Sequence, residues 1–560
     1  MRFYAFFIVL SLLTISSFSQ KLDIKWSEQM KYSNKQDGFF KSVAGVNDKY
    51  IYCLFTRNLK KRIITDKYLK IVAFDRQTLQ KVSSVGLKGY PENKEKRDLL
   101  KKLHYYKTII FDKVVYVFWT LESSGREEIY VQSFNESLGK LSSIKKVYEL
   151  TSERSDNKKA EALVLGTKND LVLIGGEKAA KKEESVTLSY KLLNSDLSFV
   201  SSNEVELPIK VTGKSYGLTS YYELGDDGNL YVYSYVSMGK EEQKELGKNE
   251  YTYYCIFSAI NLDKGAIKSY RIKFDQKNIY SLRSFHDGNS IKLYGYYTDL
   301  TIDPKAGATH GLFYSNIDKN TLEIIEEPIF TAFSTEEKNK IKKDEKEPYL
   351  VNSIITKVQK YNDRDILFSY KTHSYSYTSC NGKTCHTVIE CKNSDVLCMA
   401  VNKKGEIEWL NNHDRFYIHN GWYVEDVQIL FEDNKFFITY ADRNKFDAKR
   451  NRKVSKSKRE LRDFIDYIIL DPENGQTTQH EIVLNPPGTK KKNRKYADAS
   501  DIVEKNNALY ITSTKVKMKP AAIAVSIALI PVLVVGSMIP SFMPSSYYGI
   551  GFVGNIQIVK

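Results

Sequence analysis

From residue 48 onward the chain repeats one pattern of apolar and polar positions. A turn residue precedes a short run of aromatic and β-branched residues, and a polar stretch of varying length follows. A second run then ends in an Asn/Asp/Lys turn, and a third begins. The first copy reads DKYIYCLF at 48–55, KIVAFD at 70–75 and QKV from Gln80; the second reads DKVVYVFW at 112–119 and IYVQSFN at 129–135. Further copies open at Asn169, Gly228, Gly288, Asp363, Asp433 and Asn506, with second runs such as GLFYSNID at 311–318, FIDYIILD at 464–471 and GFVGNIQIV at 551–559. Runs of this composition between turn residues predict strands, and their recurrence predicts a repeat architecture. The period of roughly 57–74 residues exceeds that of common propeller repeats, and the excess sits between the first two runs of each copy.

Strands buried on both faces by stacking around an axis define an all-β fold, a β-propeller of seven or eight four-stranded blades; an array of β-sandwiches is the alternative. The phrases VLCMAVNKKGEIEWL at 396–410 and INLDKGAIKSY at 260–270 repeat a strand, a Lys-Gly turn and a second strand. In these phrases the chain resembles the propeller proteins exported by Bacteroidota, and the resemblance implies the fold and an exported location.

The last copy is interrupted. Residues 521–543 read AAIAVSIALIPVLVVGSMIPSFM, and no Asp, Glu, Lys or Arg stands between Lys519 and Lys560. Both flanks, NNALYITSTKVKMK and YYGIGFVGNIQIVK, look like paired strands of one blade. About 20 residues suffice to cross a bilayer, but a single crossing would strand the terminal run away from its sheet, and Pro531, Gly536 and Pro540 interrupt a straight helix. The expectation is an apolar hairpin at 520–545, with Ile523, Val525, Ile527, Leu529, Ile530, Pro531, Val532, Leu533, Val534, Val535, Met538, Ile539, Pro540, Phe542 and Met543 as docking residues. A buried core helix is the alternative. A soluble periplasmic protein with such a projection is similar in architecture to the periplasmic plug of a type IX secretion translocon, which implies a pore-closing role.

The N-terminus carries Arg2, an apolar stretch from Phe3 to Leu13, then small and polar residues up to Gln20. That is the layout of a signal peptide over 1–20, with residues 21–560 as a single propeller domain. Tyr (40) and Phe (27) outnumber Gly (29) and Pro (12), and 42% of residues are hydrophobic, so the chain can bury a large core.

The net charge of +16 is local. Arg443 to Arg462, within the basic loop at 443–463, has a net +8, GTKKKNRK at 488–495 adds +5, and Lys515, Lys517 and Lys519 add +3. Arg450, Arg452, Lys453, Lys456, Lys458, Arg459, Lys490, Lys491 and Lys492 are read as basic groups steering the chain to an anionic surface, with solvated loops as the plain alternative. Nucleic acid is not an expected partner, for no nucleic-acid module is present.

Cys380, Cys385, Cys391 and Cys398 form a cysteine-rich loop at 372–395 and are disulfide candidates, with Cys380–Cys385 and Cys391–Cys398 the favoured pairing among three. Their spacing departs from that of a zinc site. Cys53 and Cys255 fall inside strands and are expected to be buried. Gly213-Lys-Ser-Tyr-Gly217 matches a nucleophile elbow, but a strand follows it where a helix is required. No catalytic residue, cofactor or metal is expected. The reading is an exported, periplasmic, non-enzymatic interaction subunit, docked at the outer membrane on a protein complex or the membrane surface. The alternatives are a glycan- or ligand-binding propeller, with Trp119, Trp409 and Trp422 for stacking, or a propeller hydrolase or lyase.

Overall fold

A computed structural model describes residues 21–28, 30–33, 39–56, 69–87, 99–111, 113–123, 126–151, 162–168, 170–178, 185–210, 219–225, 227–237, 253–274, 276–302, 309–341, 353–381, 384–420, 427–442, 444–447, 452–455, 464–486, 488–490, 494–495, 497, 502–505, 508–518 and 547–559. They form eight four-stranded antiparallel blades in a propeller arrangement, which resolves the expected seven or eight to eight. In chain order, blades 1 to 7 span 39–86, 104–151, 163–210, 219–272, 277–332, 353–420 and 427–483. Blade 8 comprises Ile502–Lys505, Ala508–Met518 and Tyr547–Val559, and the N-terminal strand Lys21–Trp26 completes it.

The chain divides into two compact units. One holds 90–424 and 472–476, and therefore blades 2 to 6; its cores lie between successive blades. Ile109, Phe118 and Val131 of blade 2 pack with Val164, Val172 and Ile174 of blade 3. Phe257 and Tyr233 of blade 4 pack with Ile291, Leu293 and Phe313 of blade 5. The other unit holds 1–89, 425–471 and 477–560. There Ile51, Cys53 and Phe74 of blade 1 meet Tyr510 and Val553 of blade 8.

Coverage on both faces explains why the middle strands read as unbroken apolar runs: in Tyr50–Thr56 every residue after Tyr50 is buried. The fourth strands lie outermost and stay largely exposed, as in Lys81–Gly86. The first strands differ again. Those of blades 1, 2, 3, 5 and 6 are broken by bulges, between Phe40 and Ser42 and between Val43 and Gly45, then Tyr105 and Lys107, Val164 and Gly166, Tyr280 and Arg283, and Ile355 and Lys357. A bulge bends a strand and re-aims its side chains.

Two expectations need correction. The cysteine-rich stretch 372–395 is not a loop: blade 6 runs its second and third strands, Arg364–Asn381 and Thr384–Asn402, straight through it as one long hairpin. Cys391 and Cys398 are both buried, and Cys398 is a free thiol. Both lie on the strand Thr384–Asn402, and at ~3.3 Å per residue their separation far exceeds the ~7 Å that a disulfide tolerates between Cα atoms. No disulfide occurs among the described residues. Cys380 and Cys385 are cross-strand partners in the backbone register, and their side chains lie outside the described residues. Cys53 and Cys255 are buried free thiols, as expected.

Candidate functional site

The docking residues expected between Ile523 and Met543 lie outside the described residues. Their flanks do not: Ala508–Met518 and Tyr547–Val559 pair antiparallel without a break from Leu509↔Ile556 to Met518↔Tyr547. The uncharged segment therefore leaves one strand and returns to its neighbour in the same sheet. In blade 7 the same connection, from second to third strand, carries the basic run. Part of that run is ordered as a ribbon of Asn444–Asp447 and Arg452–Ser455, with Arg452 opposite Asp447 and Lys453 opposite Phe446. Lys490 is exposed; Arg450, Lys456, Lys458, Arg459, Lys491 and Lys492 lie outside the described residues. In blade 6 the second-to-third connection is the long hairpin. Three consecutive blades thus elaborate the same connection.

The stacking residues of the glycan alternative fare differently. Trp119 is fully buried in the core, so it offers no ring to a ligand. Trp409 donates Nε1–H to the Pro472 carbonyl at 3.3 Å and backs the turn glycine Gly475. Trp422 lies outside the described residues. Gly213–Gly217 also lies outside them, between the strands Phe199–Lys210 and Thr219–Leu224, so the chain context is strand-to-strand.

A polar cluster that the sequence reading missed lies where blades 4, 5 and 6 adjoin. Its pivot is the bulge in the first strand of blade 5, where Ser281 has φ of 57°, a left-handed conformation costly for a residue other than glycine. Both neighbours hold the bulge: Leu282 N–H donates to the Tyr235 hydroxyl of blade 4 at 2.7 Å, and Ile355 N–H of blade 6 donates to the Ser281 hydroxyl at 2.6 Å. Just past it, Arg283 sets its guanidinium over the Tyr221 ring, 5.5 Å from the ring centre. Ser284 Oγ donates to Glu223 Oε2 at 2.9 Å, and the Tyr233 hydroxyl donates to the same oxygen at 3.0 Å while touching Ser284 Oγ. Burial, reinforced by the Glu223 charge, pushes the Tyr233 phenol well above its ordinary range, so it is a donor and not a base.

One turn along, the Tyr231 hydroxyl donates to Asp227 Oδ2 at 2.5 Å, and Lys319 lies 3.3 Å from the same oxygen. Hydrogen bonds from Tyr231 and Asn229, together with Lys319, hold the Asp227 carboxyl below its usual value despite burial. The available signals were a Tyr-Tyr-Glu run at 221–223 and Arg-Ser-Phe-His at 283–286, polar groups in strands that the alternation rule does not describe. Among the described residues no cluster of His, Cys, Asp and Glu is arranged to hold a metal.

No family profile and no curated protein matches the chain. Solved structures do. A polysaccharide lyase, a PL25 ulvan lyase, aligns at 9% identity and a TM-score of 0.35, covering 74% of this chain and 93% of the lyase. Semaphorin 2a from Drosophila aligns at 12% and 0.32, covering 74% and 72%. A DUF4221 family member from Bacteroides vulgatus aligns at 12% and 0.23, covering 75% and 93%. At these identities and scores the likenesses carry no argument about activity.

Proposed function

We propose that this protein is an exported interaction propeller that attaches to a lipid surface through the apolar hairpin of its last blade. One observation carries the reading: the continuous register up to Met518↔Tyr547 brackets the segment within a single sheet. The segment is thus inserted into a folded blade and is not a terminal anchor. Burying ten of its side chains would contribute ~15–30 kcal/mol before ordering costs, whereas an uncharged run of this length left in water is a liability for aggregation. The basic ribbon at 444–455 and Lys490 add attraction to anionic headgroups, a contribution that salt screens over ~8 Å at physiological strength.

The test replaces 520–545 by Asn-Gly, a residue pair suited to a tight hairpin, and compares flotation with phosphatidylglycerol-containing vesicles. The full chain is expected to float with the vesicles, and the replacement to stay behind with an unchanged melting temperature. Equal flotation of the two chains would refute the attachment, and so would a full chain that ignores vesicles. Salt is expected to weaken flotation and not to abolish it.

A further inference from the structure

We propose that Arg283, Tyr221 and Glu223 form a binding site for a carboxylate ligand that also carries hydroxyl groups, a hydroxy acid or an acidic sugar. The inference is independent of the membrane reading.

It starts from a half-buried arginine whose hydrogen-bonding capacity is unspent. Arg283 makes its cation–π contact with Tyr221, and among the described residues its guanidinium has no hydrogen bond and no carboxylate partner. An arginine fork presents donors in a plane that match a carboxylate two to two. Stacking on an aromatic face fixes that plane without using the donors. Tyr221 is 46% exposed, so the stacked pair is open to solvent on one side.

The second half of the site is Glu223. Tyr233 and Ser284 both donate to Oε2, which leaves Oε1 as an acceptor for a ligand hydroxyl. A carboxylate with adjacent hydroxyls therefore complements a free fork and a free acceptor, whose anchors Tyr221 and Glu223 stand two residues apart on the strand Thr219–Leu224. A bare anion would meet only the fork and would face the Glu223 charge.

The backbone supports the same conclusion. Arg283 and Ser284 owe their aim to the bulge at 281–282, where Leu282 N–H bonds to blade 4 and the hydroxyl of left-handed Ser281 bonds to blade 6. Local strain that its surroundings enforce from two sides is concentrated at functional positions.

The experiment measures binding to the full chain by isothermal titration with D-glucuronate, L-lactate and D-glucose. Glucuronate or lactate is expected to saturate, with neutral glucose weaker by about tenfold or more, the loss of one charge-assisted bond. A tighter glucuronate identifies an acidic sugar, and a tighter lactate a hydroxy acid. Arg283→Lys keeps the charge and removes the fork, and is expected to weaken binding about tenfold. Tyr221→Leu, at an exposed position, is the second variant should the first lose its fold, and it is expected to weaken binding several-fold. Glu223→Gln separates the two halves, reducing the preference for the hydroxylated acid over acetate. The proposal falls if neither acid saturates, if glucose binds as well as glucuronate, or if a folded variant at Arg283 or Tyr221 binds as the parent does.

Discussion

His286 stands edge-on to Tyr231, ring centres 4.6 Å apart, with Nε2 buried and without a hydrogen-bond partner among the described residues. Burial lowers its pKa from the ordinary value, Lys319 and Lys168 add to the effect, and Glu223 and Asp227 oppose it. The sign of the pH effect follows. Above an unfolded value of ~6.5 the ring is neutral in both states and folding releases or takes up no proton there. As pH falls below that value the unfolded chain binds the proton first, so stability drops until the pH has passed the lowered folded value. His286→Phe removes this linkage. The fall in thermal midpoint between pH 7 and pH 5 is expected to be smaller in the variant than in the parent; equal falls would show that the histidine titrates freely.

Among elements, the turns between third and fourth strands show most clearly what the sequence carried. Those of blades 1 to 6 each open on Asn or Asp and close on a left-handed residue whose N–H donates back to the opening carbonyl: Asp75 with Leu79, Asn135 with Leu138, Asn194 with Leu197, Asn261 with Gly265, Asp318 with Leu322 and Asn402 with Gly405. The Lys-Gly phrases at 264–265 and 404–405 exposed this grammar where glycine occupies the left-handed position. Where leucine does, as at Leu79 and Leu322, the side chain is buried and the turn is disguised.

Gly405 has φ of 74°, and an added Cβ would lie 2.9 Å from the Tyr314 ring of blade 5. Gly405→Ala is expected to cost about 2–3 kcal/mol, conformational penalty and contact combined. Gly288→Ala, with φ of 63° and open space around it, is expected to cost only the conformational part, about 1 kcal/mol. Urea midpoints separate the two, and equal losses would contradict the docking of this turn on its neighbour.

The middle strands were legible because burial on both faces leaves apolar runs such as Tyr50–Thr56. The first strands were not: polar groups and bulges in His104–Phe111 and Lys277–Asp287 break the alternation that identifies a strand. The Arg283 cluster sits in those illegible strands, so the fold could be read and this site could not. The long hairpin of blade 6 reads as a loop in sequence because cysteine, an Asn-Gly pair and small polar residues dominate it, although its backbone pairs from Lys371↔Ser394 to Asn381↔Thr384.

At the scale of the molecule, blade 8 is where sheet order departs from chain order to bring distant segments together. Lys21–Trp26 pairs with Tyr547–Val559 from Lys21↔Val559 to Trp26↔Gly554, burying Leu22 and Ile24, and Leu22 N–H donates to the Tyr467 hydroxyl of blade 7 at 2.9 Å. Blade 8 therefore joins the two ends of the chain while its middle connection carries the apolar segment. The segment therefore connects two paired strands of a blade that Lys21–Trp26 completes, and on the proposed reading lipid attachment leaves that blade intact. The most direct measurement places an environment-sensitive fluorescent amino acid at Val534 in the full chain and titrates phosphatidylglycerol-containing vesicles. The account predicts emission typical of a wet environment in free protein and a saturable blue shift with lipid. Emission already blue-shifted without lipid and unmoved by vesicles would contradict it, for the segment would then be packed within the protein's own fold.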